Sequence, residues 1–120
     1  MARTHELGRD GEALAARYLE DRGWRILARN FRSGHKEIDL VARRGHTVAF
    51  VEVKTRSGGR WGHPLEAVNA LKRREIERVA LRWMQLRGRD GDLYRFDAVA
   101  IHWRAGEAPR VEHVEDAWRL

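Results

Sequence analysis

The feature that most constrains this fold is the run Thr47-Val-Ala-Phe-Val-Glu-Val-Lys-Thr55. It is dense in β-branched and aromatic residues, the pattern of a central strand covered on both faces. A chain with such a strand must supply neighbours to pair with it and helices to cover it. It must also accommodate Glu52 and Lys54 near one end of the run. A second acidic pattern, Glu37-Ile38-Asp39, lies on the preceding strand-like run. The two are joined by a basic, glycine-bearing turn around Arg43-Arg44-Gly45-His46. Charges on a buried strand pair are costly unless something compensates them.

Side chains alternate along a strand, so Glu52 and Lys54 share a face, as do Glu37 and Asp39. A two-residue turn at Arg44-Gly45 sets Asp39 opposite Phe50 and Glu37 opposite Glu52. A four-residue loop sets Asp39 opposite Glu52. Either register keeps the four charges on one face and puts Asp39 in direct or diagonal reach of Glu52. Opposed carboxylates repel unless protonated or bridged by metal. Hard oxygen donors select Mg²⁺ or Mn²⁺ over zinc, and Lys54 beside them is placed for proton or phosphate chemistry. A solvated sheet end with an ordinary Glu–Lys pair has the same spacing, and short acidic patterns are common.

The cations carry a second signal. Of 24 Lys plus Arg, only Lys36, Lys54 and Lys72 are lysine. Where arginine is the default cation, a surviving lysine is a candidate for a position that needs an amine, because lysine can lose its proton and arginine effectively cannot; chance survival of three in 24 is the alternative. For Lys36 alone, chance survival is an adequate explanation. The net charge of +6 and pI of about 10.7 favour a polyanionic partner, nucleic acid first and anionic membrane second. There is no cysteine, hence no disulfide framework or Cys-ligated metal. No stretch approaches the ~18 apolar residues of a spanning helix, and the first residues lead into no signal-type segment. The expectation is a cytoplasmic protein forming one domain over residues 1–120.

Apolar spacing at Leu7, Gly11, Leu14, Ala15, Tyr18 and Leu19 predicts a helix over 6–22, capped by Thr4 and ended by Gly23. Strands are predicted at 24–31, 37–43, 47–55 and 93–101. A glycine-rich loop covers 56–63, and Pro64 leads into a helix over 65–86 with Leu65, Val68, Leu71, Ile76, Val79, Ala80 and Trp83 on its apolar side. Residues 110–114 read as a short edge strand before a tail ending in Trp118. Two charges sit oddly: Glu12 at the border of the first stripe and Lys72 on the second, where a long side chain often snorkels outward. Trp24, Trp83, Trp103 and Trp118 read as core or interface, and the six histidines as surface or structural. The order αβββαβ(β) describes an α/β domain, a mixed sheet flanked by helices.

With these residues assembled, the chain resembles the PD-(D/E)XK nuclease superfamily, whose restriction-endonuclease-like core is αβββαβ. The marks are Asp39 on the second strand and Glu52-Val53-Lys54 on the third. The likeness is closest to the YraN-like bacterial family, related in fold to archaeal Holliday junction resolvases. Its further marks appear in order as Gly8-Arg-Asp-Gly-Glu12-Ala, Tyr18-Leu19, Asn30-Phe-Arg32, Glu37-Ile-Asp-Leu40, Val51-Glu-Val-Lys-Thr-Arg56, Lys72 and Arg95-Phe-Asp97. The resemblance implies a Mg²⁺-dependent (or Mn²⁺-dependent) phosphodiester hydrolase. Asp39, Glu52 and the carbonyl of Val53 would bind metal, and Lys54 would orient or deprotonate the attacking water or stabilise the transition state. Glu12 would add an acid from the first helix, and Lys72 a cation near the scissile phosphate. Arg56 and Arg60 could hold flanking phosphates, and Trp61 could stack on a splayed base or serve as a packing lid.

The leading expectation is therefore an endonuclease acting on structured DNA, such as branched or repair intermediates. Alternatives are a non-catalytic nucleic-acid-binding module on the same fold, and a partner-binding protein with an incidental basic surface. A homodimer would suit a cutter of two strands.

Overall fold

A computed structural model describes residues 3–57 and 69–119, with side chains from Asp10 onward. The first helix, α1 (Arg3–Asp21), buries Ala15, Ala16 and Leu19. Gly23, at φ +90°, lets the chain reverse so that Trp24 N–H reaches back to the Leu19 carbonyl at 3.0 Å. Thr4 already lies inside α1, so it is not the expected cap.

Three antiparallel strands follow: β1 (Arg25–Ser33), β2 (Lys36–Arg44) and β3 (Thr47–Ser57). Helix α2 (Ala70–Arg87) then crosses over to β4 (Leu93–Trp103), which pairs parallel to β3, and β5 (Arg110–Trp118) returns antiparallel to β4. The sheet order is β1-β2-β3-β4-β5. One face packs Val41, Val48, Phe50 and Phe96 against Ile76, Val79, Ala80 and Trp83 of α2. The other packs Leu40, Ala42, Ala49, Val51, Val99 and Ile101 against Ala15, Ala16 and Leu19 of α1. β3 is thus the doubly covered central strand that its composition predicts.

The β2–β3 turn differs from both expected turns. Arg44 pairs with Thr47, leaving Gly45-His46 as a two-residue turn, with Gly45 at φ +63° supplying the conformation other residues resist. The resulting register, with Leu40 opposite Val51, is the one the longer loop would have given. Continued by one step, it sets Asp39 beside Glu52.

Helix α2 starts later than its apolar spacing suggests. Asn69 caps it by accepting from the Lys72 N–H at 2.9 Å, which competes with a longer helix. Pro64, Leu65 and Val68 lie outside the described residues, and Leu71 is 60% exposed rather than part of the apolar side. β5 is longer than expected. Its last residue, Trp118, stacks on Phe96 at 5.0 Å between ring centroids, so the supposed tail is a strand end docked on the core. Trp24 and Trp83 are buried as expected.

Strict alternation fails on the β1–β2 pair, whose register already shifts between Ile26 and Ala28. Ala28 and Phe31 on β1, and Val41 and Ile38 on β2, all pack towards α2 although each pair is three residues apart. Between them stand Asn30, with φ +51°, and Asp39. The left-handed turn at Asn30 puts the pleat out of phase, and β2 follows. Of the four expected charges, Glu37, Asp39 and Glu52 line one pocket and Lys54 does not; Glu37 also accepts from its cross-strand partner Arg32 at 3.0 Å.

Candidate functional site

The slipped pleat has a chemical consequence. The regular β2–β3 pairing ends at Leu40 and Val51, and the next acceptor for β3 is a side chain. Asp39 Oδ2 accepts from the Val53 N–H at 2.8 Å. A strand residue sends its N–H and C=O to the same edge, so the Val53 carbonyl also faces the gap where β2 and β3 part. Val53 itself packs on the α1 side, which leaves Glu52 and Lys54 on the α2 side.

Glu52 is 7% exposed, and its Oε1 is buried with no hydrogen-bond partner. Burial, then the hydrogen bond and charge of Asp39, push its carboxyl from 4.5 up to about 10, with Lys72 opposing the rise. Burial beside Asp39 thus favours the protonated form of Glu52 far more than water does. Glu12 arrives from α1, is half-buried, and accepts from Asn30 Nδ2 at 3.3 Å. Its pKa is also raised, by burial first and the Asp39 charge second. Asp39 thus stands between an acid from the α1 side and one on the α2 side. The approach of α1 depends on Gly11, where any Cβ would overlap Thr55 Oγ1 on β3.

An open pocket of about 230 Å³ lies over Glu52 on the α2 side. Its lining includes Lys36, Asp39, Glu52, Lys72 and Glu75. Lys54 is exposed and makes no ion pair among the described residues, so the ordinary Glu52–Lys54 pair does not form. Arg56 is half-buried at the far end of β3, and Arg60 and Trp61 lie outside the described residues. Of the expected site residues, the fold brings together Glu12, Asp39, Glu52, Val53 and Lys72, with Lys54 one step further along β3.

Among the described residues no cluster of three or more His, Cys, Asp or Glu side chains is arranged to hold a metal ion. The fit to a hard divalent cation is still good. Mg²⁺ characteristically takes one or two carboxylates and keeps several waters. The groups that could supply donors here are Asp39, the orphaned Glu52 oxygen and the Val53 carbonyl.

A second buried charge centre is built on Arg95 and Asp97, which stand out in the sequence only as a family mark with no role attached. Asp97, fully buried on β4, meets Arg95 Nε at 3.0 Å, His113 Nε2 at 2.7 Å and the Asp116 N–H at 3.0 Å. Its signal was a carboxylate set in the otherwise apolar run Phe96 to Ile101. It sits where the β4–β5 register shifts and where Asp116 adopts φ +50°, so it clamps a bulge.

Among the described residues the architecture is an α/β fold, a mixed five-stranded sheet between two helices, consistent with an αβββαβ nuclease-like core. The chain belongs to the uncharacterised protein family UPF0102, which it matches over residues 11–101. This is the YraN-like family that its motifs resemble. It is 48% identical over 118 residues to a UPF0102 protein of Rhodococcus jostii, covering 98% of this chain and 100% of that one. A UPF0102 protein of Chlorobium chlorochromatii is 46% identical over 120 residues, covering 96% and 92%. One from Geobacter metallireducens is 45% identical over 114 residues, covering 95% and 93%. Among the described residues no helix is long and apolar enough to cross a membrane.

Proposed function

We propose that this chain is a divalent-metal-dependent endonuclease that hydrolyses phosphodiester bonds of structured DNA, such as branched or repair intermediates. The observation that carries this reading is the orphaned, buried Glu52 oxygen beside Asp39 at the strand fork. A buried carboxyl with an unpaired oxygen is costly, and a cation in the fork would relieve that cost. Asp39, Glu52 and the Val53 carbonyl would hold Mg²⁺ or Mn²⁺. When bound, such an ion supplies a water activated near neutral pH and positive charge against the charge that develops on phosphorus.

The protein's own groups do the rest. Asp39 keeps one oxygen on the Val53 N–H, so its other oxygen has a fixed direction. Lys54, exposed and without an ion pair among the described residues, orients or deprotonates the attacking water. Lys72 lowers the cost of ionising Glu52 and faces the entering phosphate. Glu12 adds negative charge from the α1 side. The net charge of +6 favours a polyanion generally.

Calorimetric titration of wild type and Asp39→Asn with Mg²⁺ and Mn²⁺ tests the metal site. Cleavage of single-stranded, duplex, flap and four-way-junction DNA tests the activity. Binding and cleavage by wild type, both lost in Asp39→Asn, are expected. No metal binding at millimolar concentrations, or equal binding by the two proteins, would refute the site. DNA binding without cleavage of any substrate would favour a binding module on this fold.

A further inference from the structure

Of the three lysines in this arginine-rich chain, Lys36 and Lys72 line one pocket, and Lys54 follows Glu52, which also lines it, by two residues on the same side of β3. Lys54 and Lys72 act in the proposed chemistry; Lys36 lines the same pocket without a role in that chemistry. Lys36 is the first residue of β2 and directs its Nζ to Glu75 Oε1 on α2, at 3.3 Å. The lysine is 57% exposed and the glutamate 27%, so the pair bridges β2 and α2 at the pocket mouth, in contact with solvent. A pair this exposed is weak and easily exchanged. A strongly hydrated ammonium on a flexible stem suits a contact made first to one anion and then to another.

We propose that Lys36 is a phosphate-binding residue of this site, held on Glu75 when the pocket is empty and transferred to a backbone phosphate when a nucleic acid enters. Glu75 then sets a threshold: only a polyanion able to outcompete it recruits Lys36. The phosphate concerned flanks the one that reaches Asp39 and Glu52, since Lys36 precedes Asp39 by three residues on β2. This rests on the nucleic-acid reading of the site, but it concerns binding and not cleavage.

The test is a salt series of binding to duplex and four-way-junction DNA in EDTA, by fluorescence anisotropy. Four proteins carry the argument: wild type, Lys36→Gln, Glu75→Gln and the double variant. Arg89→Gln, in the exposed turn before β4, controls for net charge. Lys36→Gln should flatten the slope of log K against log salt by about 0.9, one lost phosphate contact, and Arg89→Gln should not. Glu75→Gln should tighten binding about 2- to 5-fold, the strength of an exposed pair, and should do so only when Lys36 is present. An equal gain in the Lys36→Gln background would show that only a repulsive charge was removed, and would overturn the transfer. An unchanged slope in Lys36→Gln, or the same loss in Arg89→Gln, would overturn the contact itself. Absence of DNA binding by wild type would remove the parent reading, and this one with it.

Discussion

Replacing Glu52 by glutamine should stabilise the metal-free protein at neutral pH, although it alters a buried polar residue. The folded chain holds this carboxyl at about 10, against 4.5 for the ordinary group, chiefly because it is buried. The unfolded chain releases the proton near 4.5. A group whose pKa is raised by folding contributes fully below its unfolded value and loses that contribution as pH climbs towards its folded value. Each pH unit in that window is worth about 1.4 kcal/mol. From about pH 5 to about pH 7.5 the wild type should thus lose about 3 kcal/mol from this group, a large share of a typical 5–15 kcal/mol. Glutamine has no proton to release and keeps an N–H for Asp39. The assay is urea denaturation in EDTA, followed by fluorescence of the buried Trp24, Trp83 and Trp118. The variant should gain on wild type by about 3 kcal/mol across that pH range. Millimolar Mg²⁺ or Mn²⁺ should then restore stability to wild type at the upper pH and leave the variant unchanged. Parallel pH profiles for the two proteins would refute the argument, because they would mean that Glu52 ionises in the fold without penalty.

Three further outcomes follow from the geometry. Lys54→Arg should keep DNA affinity within a few fold while cleavage falls roughly 10²-fold, the scale of a lost acid–base group; cleavage at the wild-type rate would show that the amine is not needed. Gly11→Ala should cost about 1–3 kcal/mol by overpacking against Thr55, visible as a lower Tm, and Thr55→Ala in the same chain should recover most of it. Asp97→Ala should cost about 3–5 kcal/mol, because it strands Arg95 and His113 beside a buried gap; a Tm within a degree or two of wild type would mean that the clamp is dispensable.

Much of this arrangement is legible in the sequence, for reasons that differ by element. β3 declares itself because a strand covered on both faces needs apolar residues at every position. α1 declares its end because Gly23 is the cheapest residue for a left-handed reversal. Lys72 is conspicuous because it interrupts an apolar stripe. The β2–β3 register was ambiguous because Arg43 to His46 accommodates more than one turn, and only the long-range packing of Phe50 on Trp83 and Phe96 selects between them. β5 was cut short because its docking depends on Asp97 and Phe96, residues remote in sequence. The slip at Asn30 was invisible for a related reason: nothing local distinguishes an asparagine that turns a strand from one that decorates it. Glu12 and Asp39 meet only because that slip and the close approach at Gly11 occur together.

The hydrogen bond from Val53 to Asp39 has a consequence for how affinity evolves in such a site. Freezing a carboxylate on binding costs about 0.5–1.5 kcal/mol of rotational entropy. Here the main chain has frozen it already, as a substitute rung in the strand ladder, so the loss falls on folding and not on capture of a ligand. Affinity and fold stability are then coupled through one rung. A substitution that loosens the turn at Asn30 would weaken ligand binding without touching a ligand atom. Asparagine at position 39 would keep the rung and lose the charge, whereas alanine would lose both, so the two replacements separate the architectural role of Asp39 from its electrostatic one.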